Sequence, residues 1–211
     1  MCARAMAEVA EQGSALAHEI KNPRAAVSLA LRAVARALGE EEQAVLGELV
    51  ERLEGLEHKL RDALAYAREC SPSRAAHRLE ELAAELAPPL EVHVEAPTEL
   101  DCDRELLQDA LARLAQDALG AGARSLWVRA LEEESGARLE LHDDGPCPSA
   151  ERLEELALPL ALGRAGLPSM AGAMAVRAAR LHEGALRAQP SPHGGVCWEF
   201  TLPKSAHAAT D

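Results

Sequence analysis

SALAHEIKNPRAAVSLALRAV, residues 14–34, combines a greasy helical stripe with a polar cluster on the opposite side. Leu16, Ile20, Val27, Leu31 and Val34, continued by Leu38, recur at intervals of three, four or seven. That spacing lines one face of an α-helix. At about 100° of rotation per residue, His18 points almost opposite to the stripe. Asn22, one turn later, lies within about 40° of His18, and Glu19 sits to the side. Pro23 has no N–H to donate to the carbonyl of Glu19, so the helix should bend just below the histidine. A lone histidine on such a face is ordinarily a solvated side chain. Here an imidazole, a carboxylate and an amide converge beside a bend. An exposed imidazole with an acid neighbour can act as a nucleophile, the carboxylate drawing off its proton. The amide can orient a water or a phosphoryl oxygen.

Working outward, Val45, Leu49, Leu53, Leu56, Leu60 and Leu64 form a second stripe of the same spacing. Gly39 is a natural break between the two, and the acidic run Glu40, Glu41, Glu42 suits a helix start. Residues 1–69 therefore read as an antiparallel helical hairpin. Each stripe needs more partner than the other can supply, which predicts a homodimer closed as a four-helix bundle.

Residues 70–76 lie in a Pro- and Ser-containing stretch that ends the periodicity, and they read as a linker. From 77 to 203 the pattern alternates. Helices are expected at about 79–87, 103–120 and 169–182, with a loop and short helix over 143–157. Strands are expected at about 90–95, 124–131, 137–142, 184–189 and 196–202, and Gly184 and the pair Gly194–Gly195 fall where turns are needed. This is an α+β sandwich, a sheet with helices on one face. The tail, 204–211, reads as disordered.

Composition narrows the function classes. A net charge of −13 argues against nucleic acid or an anionic membrane surface as the main partner. No run approaches the length of a membrane span, and Arg4, Glu8 and Glu11 interrupt the apolar stretch a signal peptide needs. A cytoplasmic protein is the expectation. The five cysteines, Cys2, Cys70, Cys102, Cys147 and Cys197, are far apart and lack any CxxC spacing, so free thiols and no metal site are expected. With aromatics at only 2%, the core must be built from Leu, Ala and Val.

The run HEIKNP, residues 18–23, resembles the H-box of bacterial two-component histidine kinases, and the order of the second half is similar to their ATP-binding, Bergerat-type domain. The resemblance extends from about residue 10 to 203. It implies that His18 is the phospho-accepting histidine, that Glu19 is the acid/base for phosphoryl transfer, and that Asn22 places the water in any phosphatase reaction. It also implies response-regulator receiver domains as partners.

The nucleotide motifs depart from the family. Where it carries two asparagines four residues apart, this chain has Arg113 and Asp117. Such a pair can form a helical salt bridge that fills the space meant for phosphates, or line a solvated face; Asp117 could still offer an oxygen to Mg²⁺. Asp143 and Gly145 match the adenine-recognising aspartate and first glycine, although Asp143 is equally a turn residue after a strand. Cys147 stands for the second glycine, and Arg164 is the remnant of the lid. Ser169 and Ala171 replace glycines of the last phosphate loop. No cofactor is therefore expected. The reading that follows is a phosphorelay protein that carries a phosphoryl group on His18 and exchanges it with receiver aspartates. ATP and Mg²⁺ enter only under a first alternative, an active kinase phosphorylating His18. A second alternative is a non-catalytic adaptor that binds a kinase or a response regulator.

Overall fold

Gly39 precedes the start of a helix, as its position suggests. Its carbonyl accepts from the N–H of Gln43 at 3.0 Å, opening helix α1, Glu40–Ala67. The computed structural model describes residues 27, 29–31, 33–34, 38–68, 70–84, 86, 88–95 and 98–204. The chain divides into two units, 1–69 and 70–211. In the first unit, positions 27, 29–31, 33 and 34 are helical. His18, Glu19 and Asn22 lie outside the described residues, as does the tail beyond Lys204. Among the described residues, no helix is long and apolar enough to cross a membrane.

The second unit is a five-stranded mixed sheet with helices on one face. Its strands are β2 (Glu91–Glu95), β4 (Ser125–Glu133), β5 (Gly136–Asp143), β6 (Ala185–Pro190) and β7 (Val196–Pro203), in the order β2-β4-β5-β7-β6. Only β2 and β4 run parallel. The alternation of β4 places Leu126, Val128 and Ala130 inward, and β5 and β7 add Leu139, Leu141, Trp198 and Phe200. Against this face lie α2 (Leu79–Ala83), α3 (Arg104–Gly120) and α5 (Ala171–Leu181), with the short α4 (Ala150–Glu155) before the last of them. As the composition requires, leucine and alanine dominate; the single phenylalanine, Phe200, is fully buried.

Two small strands went unread in the sequence. β1 (Ala75–Arg78) pairs antiparallel with β3 (Glu99–Cys102), with His77 opposite Leu100. The expected linker over 70–76 is thus corrected: its last two residues belong to a strand, and Arg74 anchors the rest. The Arg74 guanidinium donates to the carbonyls of His182 (3.3 Å), Asp101 (2.9 Å) and Pro203 (2.5 Å), and pairs with the Asp101 carboxylate at 3.2 Å. One arginine therefore ties three separated segments together. Replacing Arg74 with alanine should cost the unit about 2 kcal/mol, the scale of bonds from a charged donor. Urea denaturation measures it.

Helix α3 starts at Asp103, whose side chain accepts from the N–H groups of Leu106 (3.0 Å) and Ser73 (2.7 Å). Burial pushes the Asp103 carboxyl up, but these bonds and His182 outweigh it and hold the group below its ordinary value. His182, fully buried, accepts the Asp103 N–H at Nε2 (2.8 Å) and sets Nδ1 2.7 Å from the carbonyl of Ala178. It joins the end of α5 to the start of α3. At the end of α5 the left-handed residue is Glu183 (φ 61°) rather than Gly184, whose missing side chain instead admits the Thr201 carbonyl.

Candidate functional site

The site expected from the sequence lies between α3, the end of β5 and the loop from α4 to α5. On α3, the Arg113 Nε donates to the Asp109 carboxylate at 2.8 Å. This pair runs toward the helix start, where the sequence left a bridge to Asp117 or a solvated face open. An acid one turn N-terminal to a base is the favoured order on a helix, because it also suits the macrodipole.

Asp117 is held by the α4–α5 loop instead. A side-chain carbon added to Gly163 would lie 2.7 Å from its Oδ1. Burial pushes its carboxyl above the ordinary 3.8, against the opposing pull of the Arg164 charge and of bonds from the Arg164 backbone and Ser169 side chain. The loop is closed on itself. Gly163 N–H donates to the Leu167 carbonyl at 2.7 Å, and Ser169 N–H to that of Ala161 at 2.8 Å. A narrow crevice lined by Asp117, Gly163, Ser169, Gly172 and Trp198 lies beside this carboxylate.

Asp143 ends β5 and is 2% exposed. Both of its oxygens are in use. Arg164 meets them side by side, Nη1 to Oδ2 at 2.5 Å and Nη2 to Oδ1 at 2.7 Å. Gly145 N–H donates to Oδ1 at 2.8 Å and Val196 N–H to Oδ2 at 3.3 Å. Arg164 also donates to the Pro146 carbonyl at 3.1 Å, and its side chain is as buried as its partner's, at 2% against 3%. A planar guanidinium on a planar carboxylate gives two parallel charge-assisted bonds. The third side is backbone: a side-chain carbon on Gly195 would fall 2.0 Å from Oδ1. Only glycine fits there. Its partner Gly194 supplies the turn, at φ 112°.

The remaining motif glycine is also spent on packing. A side-chain carbon on Gly172, in the first turn of α5, would lie 2.0 Å from the Leu156 carbonyl oxygen. The α5 start therefore abuts the end of α4. An adenine amino group needs a carboxylate oxygen, and phosphates need open backbone amides at a helix start. In this arrangement Asp143 is already paired, and the contacts to its two oxygens come from Arg164, Gly145 and Val196.

Cys147, which stands for a motif glycine, is exposed, as is Cys70; Cys102 and Cys197 are buried. Burial is the main cause that pushes the Cys102 thiol up to about 12 and that of Cys197 up to about 11. Near neutral pH, a maleimide should label Cys70 and Cys147 in the folded chain. It should reach Cys102 and Cys197 only after denaturation, as read by mass spectrometry.

The structure brings Asp143 and Gly145 together at the end of β5 and sets Asp117 against the α4–α5 loop, while Arg113 turns to Asp109. The role of Arg164 as the partner of Asp143 is not read from the sequence. The available signal was an arginine set among glycine and apolar residues, with no acidic neighbour in its own segment.

No protein-family profile matches the chain. The sensor protein kinase FleS of Pseudomonas aeruginosa is 29% identical over 204 residues, which cover 90% of this chain and 51% of that protein. The chain thus spans about half the length of its relative. Among solved structures, the ATP-binding domain of PrrB from Mycobacterium tuberculosis matches with a TM-score of 0.52 at 20% identity, over 64% of this chain and 99% of that one. Histidine kinase ThkA, solved in complex with the response regulator protein TrrA, matches with a TM-score of 0.64 at 18% identity, over 93% of this chain and 62% of that one. In fold the chain is similar to these histidine kinase structures, and in sequence it is similar to a sensor protein kinase over most of its length.

Proposed function

We propose that this protein exchanges a phosphoryl group between His18 and the aspartate of a response-regulator receiver domain, without tight binding of ATP. The observation that carries the reading is the Arg164–Asp143 pair, which occupies the carboxylate an adenine would need. The HEIKNP run supplies the other half: a nucleophile, its acid neighbour and an amide within one turn. In the forward step the imidazole nitrogen attacks phosphorus of the aspartyl phosphate, the carboxylate leaves, and Glu19 takes the imidazole proton. Asn22 would place water in a hydrolytic branch. No step needs the nucleotide pocket.

A homodimer through the helical hairpin fits this reading and remains part of the proposal. Val45 and Leu49, one turn apart on α1, are exposed at 58% and 45% in the single chain. A complex of ThkA with a response regulator is known, which supports a receiver domain as the partner here.

Two measurements test the proposal. Calorimetry with ATP and Mg²⁺ should give no saturable heat, and a phosphorylated receiver domain should lose label to this chain. Stable labelling of His18 from ATP would replace the proposal with an autokinase. Receiver binding without any transfer would leave an adaptor.

A further inference from the structure

The face of the sheet opposite the helices carries a buried cluster that the site above does not use. Glu140 and His142 project from β5, and Cys197 stands directly opposite His142 on β7. They are 4%, 6% and 1% exposed. The His142 Nε2 lies 3.0 Å from the Glu140 Oε2 and 3.7 Å from the Cys197 Sγ, and the three donor atoms all fall within 4.8 Å of one another. Nitrogen, oxygen and sulfur ligands at about 2.0–2.3 Å from a tetrahedral Zn²⁺ sit about 3.3–3.6 Å apart. The cluster is within a few tenths of an ångström of those edges along the two sides that meet at His142.

A second ring of groups orients each donor. Ser191 Oγ lies 3.5 Å from the His142 Nδ1, leaving Nε2 to face the other two donors. Gln189 Nε2 is 3.7 Å from the Cys197 Sγ. Arg129 donates to the Glu140 Oε2 at 2.6 Å, and Arg138 stands 3.5 Å from the Oε1. His193 stacks on Trp127 with ring centroids 3.7 Å apart and meets His142 edge-on at 5.7 Å. Ligands held by such partners are typical of built metal sites.

We propose that Glu140, His142 and Cys197 form a site for a single borderline divalent cation of the Zn²⁺ class, with a fourth position open to water. The mixed donor set of one sulfur, one imidazole and one carboxylate suits zinc over magnesium or calcium, which select oxygen. On binding, the Cys197 thiol gives its proton to solvent and the metal–sulfur bond replaces the S–H bond. The thiolate then supplies one new negative charge beside the ion, and the carboxylate, shared with Arg129 and Arg138, supplies an oxygen. Sequence spacing could not show the site, because its third ligand comes from a strand more than fifty residues away.

The test uses the full chain with Cys2, Cys70 and Cys147 changed to serine, stripped by chelator and titrated with Co²⁺. A thiolate-to-cobalt charge-transfer band saturating at one ion per chain, bleached by Zn²⁺ and absent in Cys197→Ser, is the expected result. Ser191→Ala, which leaves all three ligands in place, should weaken Zn²⁺ binding about tenfold. Far-UV circular dichroism checks that each variant folds. Should Cys197→Ser fail to fold, the Ser191→Ala affinity decides, and an unchanged value overturns the site. No charge-transfer band in the parent, or a band that persists in folded Cys197→Ser, also overturns it.

Discussion

Replacing Arg164 with methionine should destabilise the second unit by about 3–5 kcal/mol, because the change strands a buried carboxylate that has lost its counter-charge. Asp143 and Arg164 are both nearly inaccessible to solvent, so water cannot substitute for the lost guanidinium. Against a total stability of order 5–15 kcal/mol, such a loss removes a large part of the margin. Methionine keeps much of the side-chain length, so a simple cavity is not the main cost. Asp143→Asn alone should also destabilise, since one amide oxygen cannot accept from Arg164, Gly145 and Val196 together. The double variant should cost less than the sum of the two singles, with a coupling energy of about 2–3 kcal/mol. Urea unfolding followed by tryptophan fluorescence reads this directly, as both tryptophans, Trp127 and Trp198, lie in the second unit. A loss below about 1 kcal/mol for Arg164→Met would mean that the pair behaves as a solvated surface bridge and that Asp143 is open to a ligand.

His18→Gln should reduce phosphoryl exchange with a labelled receiver to background. Glutamine retains a polar side chain of comparable reach but offers no nucleophilic ring nitrogen, so transfer has no acceptor atom. Glu19→Gln should instead slow transfer without abolishing it, because general acid–base assistance is worth about 10²–10⁴ in rate while the nucleophile remains. Autoradiography of the separated partners measures both. Full transfer in the His18→Gln chain would refute the assignment of the phospho-accepting residue, whichever direction phosphate flows.

These two expectations rest on different kinds of legibility. Period-3.6 and period-2 patterns placed nearly every long element of the second unit within a few residues, since each buries a single apolar face. The lapses were short. β1 and β3 are four residues each and carry little alternation, and β1 exists because Arg74 pins its approach to the carbonyls of Asp101, His182 and Pro203. No local pattern announces a contact between residues 74 and 203. For Arg113 the sequence left a bridge to Asp117 or a solvated face open, and Asp109, which it meets, lies equally far along the chain in the other direction.

From the amino acids alone came the break at Gly39, the helix-and-strand order beyond residue 77 and the leucine- and alanine-built core; these depend on neighbours a turn or a strand apart. The tertiary structure decided the rest. Arg164 reaches Asp143 across 21 residues, and Cys197 faces His142 across 55. Whether a carboxylate greets a ligand or a guanidinium, and whether a thiol stands alone or beside an imidazole, is set by which distant segments the shared core forces together. Burial then raises the strength of those meetings, because charges and donors removed from water must find their partners within the chain.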